Sequence, residues 1–359
     1  MKSNLFLGLG FAMVGAAAVL AQGQPQAPVK GPGLQAAQDP GYPKLIATCK
    51  NPPPAPAAPA GGPGGAGRAG GAPAVPPAPA EYTVTDIPGV IAAGQRWKLV
   101  WEARGNNADG IIGTADGGLL IAQNDNRRVV KLDKDGKTSI VYRDTRTGGA
   151  LSMSSNGALF IAERALNASI TQLAPTHRIL ANKYQGDPLD CIGGLLNDIT
   201  ADGKGGVYFT MNGLYYADAK GVVTKYGENL RTNGLVLSPD EKTFYVTDGP
   251  GVAAFDVQPD GSLRNQRPFA KLPFGNADGS TVDSQGRLYV TGGAAVHVIA
   301  PDGKYLGNIP APGGLNTMAF SGPDKKTVYV VFAVRYGTMR DAQIYAIGTI
   351  AQGYKGRAK

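Results

Sequence analysis

The sequence predicts an all-β chain closed into a six-bladed propeller, and three features carry that prediction. First, one phrase recurs along the chain. It is clearest at Thr232–Asp248, where an apolar strand, a Pro239-Asp240 turn and a strand of aromatic and β-branched residues follow one another. Second, the core of that second strand returns six times. The copies are Leu119-Leu120-Ile121-Ala122, Leu159-Phe160-Ile161-Ala162, Val207-Tyr208-Phe209-Thr210, Phe244-Tyr245-Val246-Thr247, Leu288-Tyr289-Val290-Thr291 and Val328-Tyr329-Val330-Val331. They lie 37 to 48 residues apart, the period of a four-stranded blade. Third, no segment keeps a helical period long enough to compete. Lys98-Leu99-Val100-Trp101-Glu102 precedes the first repeat and Gln343-Ile344-Tyr345-Ala346-Ile347 follows the last. A ring has to be closed, so the strand near Trp101 is expected to complete the sixth blade.

Three regions are expected. In residues 1–21, Lys2 and an apolar run from Leu5 to Leu20 precede Val19-Leu20-Ala21, the pattern of a signal peptide cleaved after Ala21. The run is short and poorly flanked for a membrane span, so the mature chain is expected to have no transmembrane segment and to be exported, periplasmic or extracellular. Residues 22–80 are dominated by Pro, Ala and Gly and read as a disordered tether. Residues 81–359 are the propeller. Cys49 and Cys191 are the two cysteines. In an oxidising compartment they could pair, tying the N-terminal tail to the loop before the third blade, although sequence does not test that geometry. The formal charge is +8, but Lys and Arg are scattered, which argues against a nucleic-acid partner. Nothing identifies a protein partner.

Chemistry is expected at one mouth of the channel, where the innermost strands begin. About ten to twelve residues before each second-strand core stand Asp109, Gly149, Asn197, Asn233, Asp278 and Asn316. Taken singly, Asp109-Gly110, Asn233-Gly234 and Asp278-Gly279 read as tight turns. Five oxygen-bearing side chains at six equivalent positions read instead as a ring converging on one axis. Carboxylate and amide oxygens suit one hard divalent cation, Ca²⁺ first, with Mg²⁺, Mn²⁺ or Zn²⁺ as alternatives.

From about Leu99 to Val331 the chain resembles the SMP-30/gluconolactonase/LRE-like family of six-bladed propellers. The likeness lies in Asp109-Gly110, Ile179-Leu180-Ala181-Asn182-Lys183-Tyr184-Gln185-Gly186, Asn197-Asp198-Ile199, Asn233-Gly234-Leu235, Asp278-Gly279, Val282-Asp283-Ser284-Gln285-Gly286-Arg287 and Gly322-Pro323-Asp324-Lys325-Lys326. The resemblance implies a divalent cation held by Asp109, Asn233 and Asp278, with Asn197 contacting substrate or metal. Asn316, the sixth-blade member of the ring, is expected to help bind substrate. It further implies a metal-dependent carboxylic-ester hydrolase of the lactonase type, acting on a small oxygen-rich lactone. The cation would polarise the carbonyl, and Asp278 would take a proton from the attacking water.

Two departures from the family pattern bear on specificity. Asp109 stands where the family usually has Glu, and Leu195 where the animal sugar-lactonase members have Arg. The third blade also reads Phe209-Thr210-Met211 where Phe-Thr-Asp is common. His177 and His297 are read as structural, and no Gly-x-Ser-x-Gly elbow, P-loop or dinucleotide fingerprint is present. The alternative reading is a non-catalytic propeller that binds a small ligand or protein at the same mouth.

Overall fold

The computed structural model describes residues 34–53, 82–103, 107–311, 314–336 and 339–359. They form six four-stranded antiparallel sheets, the blades of a propeller. The first five blades each take four consecutive strands. Their innermost strands are Ala108–Gly113, Gly148–Met153, Ile199–Ala201, Thr232–Leu237 and Ala277–Val282. The sixth is built from Leu315–Ser321, Thr327–Tyr336 and Met339–Gly348, and its outer strand is Lys98–Ala103 from the other end of the chain. Trp101 pairs with Ile344 and Lys98 with Ala346, so the ring closes as expected from the sequence.

The first five repeated tetrads are buried throughout, and the sixth all but Tyr329, because the second strand of a blade is covered on both faces. Tyr208 packs toward the fourth blade with Leu235 and Phe244, while its neighbour Phe209 packs back toward the second with Phe160 and Ile170. The same division holds for Tyr245 and Phe244, whose rings enter the clusters on opposite sides of the fourth blade. The core is therefore a set of wedges between neighbouring blades, and the outer strands are left to solvent, as in Leu263–Lys271. Tight turns are held by aspartate side chains. Asp133, Asp202, Asp218 and Asp283 each accept hydrogen bonds from the backbone two and four residues ahead.

Two segments outside the blades shape the ends of the channel. The expected tether over 22–80 contains a stretch, residues 34–53, that packs on the second and third blades. It includes a short helix, Tyr42–Ile46. Its Ala36 N–H donates to the Arg164 carbonyl at 2.8 Å and its Leu34 carbonyl accepts from the Thr147 hydroxyl at 2.9 Å. Cys49 forms a disulfide with Cys191, closing a loop of 142 residues, and the Lys50 N–H donates to Asp187 at 2.9 Å. The remainder of the tether, and the expected signal peptide over 1–21, lie outside the described residues. At the far end of the channel, residues 353–359 run beneath the blades. Ala358 bridges to Met153 and Gly353 to Asp283, and Arg357 pairs with Glu241 at 2.9 Å.

The strap over 34–53 rests on a few backbone contacts and one covalent bond. Lys44 and Lys50 are already exposed, so reduction of the disulfide is expected to act by freeing the strap to unfold, speeding tryptic cleavage after both lysines while the propeller stays resistant. Limited proteolysis with and without reductant, read by mass spectrometry, checks this.

Candidate active site

The ring positions share one backbone device. Asp109, Gly149, Asn233, Asp278 and Asn316 are each the second residue of an innermost strand. At each of them the pairing with the next strand slips, between Ala108 and Ile111, Gly148 and Leu151, Thr232 and Leu235, Ala277 and Ser280, and Leu315 and Thr317. These are β-bulges, which turn a side chain out of the sheet's alternation. Asn197 sits at the same level just ahead of Ile199–Ala201, its N–H bonded to the Thr210 carbonyl at 2.8 Å. Buried threonines that end three of the tetrads hold the bulges from behind. Thr210 donates to the Asn233 carbonyl at 2.6 Å, Thr247 to the Gly234 carbonyl at 3.1 Å, and Thr291 to the Gly279 carbonyl at 3.2 Å.

The glycines after the ring residues are required by proximity. A Cβ on Gly110 would strike the Gly149 carbonyl, one on Gly234 the Asp278 carbonyl, and one on Gly279 the backbone of Asn316 and Thr317. The tight-turn reading of these Asp-Gly and Asn-Gly pairs is thus replaced. The innermost strands approach so closely at the mouth that no side chain fits between them.

Gly149, the ring's exception, has a different neighbour. A Cβ there would overlap the guanidinium of Arg164, which fills the gap that the second blade leaves in the ring. Arg164 is 2% exposed. Its Nε donates to the Leu196 carbonyl at 2.7 Å, its Nη1 pairs with Asp109, and its Nη2 donates to the Asn197 carbonyl and to Asn197 Oδ1, the latter at 3.3 Å. The Asn124 amide is assigned with its oxygen toward Nη1, 3.0 Å away, since its nitrogen then donates to the Gly148 and Asn107 carbonyls. Asn197 Nδ2 donates onward to Asn233 Oδ1 at 2.5 Å, and Asn233 hydrogen bonds with Asp278. One arc of polar contacts therefore runs through five blades, from Asp109 by way of Arg164, Asn197 and Asn233 to Asp278.

The charges along this arc do not balance. Asp109 has Arg164, and Asp198 has Lys359, which rises from the far end of the channel to within 2.5 Å. Among the described residues Asp278 forms no ion pair. Burial, then the charges of Asp109 and Asp198, push its carboxyl well above the usual carboxylate range, with Arg164 and Asn233 opposing. An under-compensated carboxylate beside amide and carboxylate oxygens fits a divalent cation as donor chemistry. Among the described residues no three His, Cys, Asp or Glu side chains are gathered as a metal cluster, so such a cation would depend on amide oxygens too.

The structure brings together Asp109, Asn197, Asn233 and Asp278, linked directly or through Arg164, and puts Asn316 half-buried at the same level of the ring. Leu195 is half-buried beside the mouth, and the arginine found there comes instead from the end of the second blade's second strand. Arg164 and Lys359 were not singled out by sequence. The one available signal for Arg164 was the glycine at the ring position of its own blade. His297 is structural as expected. Its Nδ1 meets the Tyr305 hydroxyl at 3.0 Å and its Nε2 the Gly292 carbonyl at 3.1 Å, and burial lowers its pKa.

A six-bladed propeller with an oxygen-lined mouth defines a class of proteins, and comparison with known proteins narrows it. The sequence profile of the SMP-30/Gluconolactonase/LRE-like region matches residues 147–334, so the chain belongs to that family. A gluconolactonase of Zymomonas mobilis is 26% identical over 202 residues, which cover 47% of this chain and 55% of that relative. The chain thus matches about half of that relative's length. A solved gluconolactonase from Xanthomonas campestris superposes with a TM-score of 0.61 at 21% identity, covering 79% of this chain and 99% of that one. The calcium-binding protein regucalcin from Agrobacterium tumefaciens gives 0.55 at 19% identity, covering 72% and 96%. These two likenesses are of fold.

Gly149→Ala is expected to force the guanidinium off its seat and to cost about 1–3 kcal/mol of stability, the usual cost of overpacking. A urea titration beside the wild type measures it.

Proposed function

We propose that this protein opens a small, oxygen-rich lactone at the channel mouth, as a divalent-metal-dependent esterase of the gluconolactonase type. The observation that carries the reading is Asp278, a carboxylate without a counter-cation, set among carboxylate and amide oxygens where six strands converge. Family membership and the activity named for the Zymomonas relative support lactone hydrolysis.

The roles follow from position. Asp109, Asn233 and Asp278 would hold the cation, whose contribution when bound is to polarise the ester carbonyl and stabilise the charge developing on its oxygen. Asp278 takes the proton of the attacking water, a role that its place at the mouth beside Asn233 suits. The Asn233 side chain orients that carboxylate through their hydrogen bond. Asn197 and Asn316 offer amide groups to ring oxygens of the substrate from the third and sixth blades. Leu195 and the closely held Asp109 favour a substrate different from that of the sugar-lactonase members with arginine and glutamate there. Export is part of the reading, supported by the apolar N-terminal run and the Cys49–Cys191 disulfide. Among the described residues no helix is long and apolar enough to cross a membrane.

A panel of lactones of different ring size, assayed with and without chelator, tests the proposal. At least one lactone is expected to be hydrolysed, with activity lost on chelation and restored by added cation. Asp278→Asn is expected to lower kcat by about 10²-fold or more. Absence of turnover on every lactone, with a ligand still bound by the wild type and by Asp278→Asn alike, would leave a binding module instead.

A further inference from the structure

We infer that Arg164 is a resident competitor for the cation at the mouth: divalent-metal binding has to draw Asp109 away from its guanidinium, and Arg164 thereby sets the affinity of the site. The inference rests on the cation reading above and deepens it.

Three observations carry it. The guanidinium is placed by construction, in a slot that exists only because position 149 is glycine. All five of its N–H groups have protein partners once the Asn124 amide is oriented as its own contacts require. These are the Leu196 and Asn197 carbonyls, Asn197 Oδ1, Asn124 Oδ1 and Asp109 Oδ2. No donor is left over for a substrate, so the group acts on the site and not on the reacting molecule. Finally, one of its partners, Asp109, belongs to the oxygen set assigned to the metal, and another, Asn197, lies against a second member of that set. Asn197 in turn occupies the Asn233 amide oxygen.

The physical consequence has a definite sign. A fixed positive charge on a ligand's oxygen repels a second cation, and the low-dielectric interior strengthens that repulsion. A cation that binds must move the guanidinium aside or share Asp109 with it. In either case part of its attraction to the carboxylate is cancelled. Removing the guanidinium removes that competition but also loosens Asp109 and Asn197. The charge effect wins here because Asn124, the Leu196 backbone and the bulges remain to define the mouth. Without metal, Asp109 would then be left beneath the rim without its partner, and the protein would become more dependent on the cation for stability.

The test is isothermal titration of the purified full chain with CaCl₂ after chelator treatment, repeated with MgCl₂, MnCl₂ and ZnCl₂, with melting temperatures recorded alongside. Wild type, Arg164→Gln, Arg164→Lys and Gly149→Ala are compared. Arg164→Gln is expected to bind at least about tenfold more tightly than wild type and to gain more melting temperature from the metal. Arg164→Lys, which keeps the charge, is expected to stay within about threefold of wild type. Gly149→Ala, which dislodges the guanidinium without deleting it, is expected to tighten binding as well, and serves if Arg164→Gln does not fold. Binding by Arg164→Gln and Gly149→Ala equal to or weaker than wild type would overturn the role of Arg164 and leave the cation site standing. Failure of all four proteins to bind any of the four metals would overturn the cation reading together with the inference.

Discussion

The close approach of six backbone strands at one end of the channel is the constraint on which the rest of this structure depends. Where Gly110, Gly234 and Gly279 face the next blade, a carbonyl oxygen or α-carbon occupies the place of a side chain. Strands that meet so tightly cannot pass each other in regular register, and a bulge at the start of the innermost strand in every blade but the third resolves the conflict. It also turns the preceding residue toward the axis. Geometry that closes the ring and geometry that gathers polar side chains are therefore the same. Glycine is needed at these places because neighbouring backbones take the space, not because of a left-handed φ.

That economy has an electrostatic cost. Turning carboxylates inward concentrates negative charge below the surface, where water compensates poorly. The chain answers with two cations from distant positions. Arg164 crosses from the end of the second blade's second strand to Asp109 in the first blade. Lys359 comes up from beneath the channel to Asp198, its main-chain oxygen accepting from the Thr281 hydroxyl at 2.7 Å. Both are buried, and both would be costly without their partners. Asp278 is the position left over. The contrast between two neutralised carboxylates and one that is not gives the mouth its polarity. It also sets Asp278, the base of the proposed reaction, apart from the two carboxylates that are tied into the frame.

The N-terminal strap joins this arrangement at the same arginine. Its Ala36 N–H bonds to the Arg164 carbonyl, so backbone and side chain of one residue face two different attachments, one outside the ring and one within it. The disulfide to Cys191 anchors the strap on the segment that leads into Asn197 and Asp198. Segments that look peripheral in sequence are thus coupled to the mouth through the second and third blades.

Sequence alone determined the propeller, its six repeats, the strand that closes the ring and the five polar residues among the six ring positions at the mouth. Those features are written locally, as tetrads covered on both faces and as an Asp or Asn about ten to twelve residues before five of the six, followed by Gly at Asp109, Asn233 and Asp278. The tertiary structure decided the rest. It paired Cys49 with Cys191, showed that the 34–53 stretch of the supposed tether is packed on the blades, and put Arg164 into the seat left by Gly149. It also brought Lys359 beneath Asp198. Each of these joins residues far apart along the chain through long side chains or single covalent links, and no periodicity records which distant partner such a group will meet. A repeat announces itself because every copy solves the same packing problem, whereas a counter-ion is chosen once, by whichever charged side chain the folded ring brings within reach.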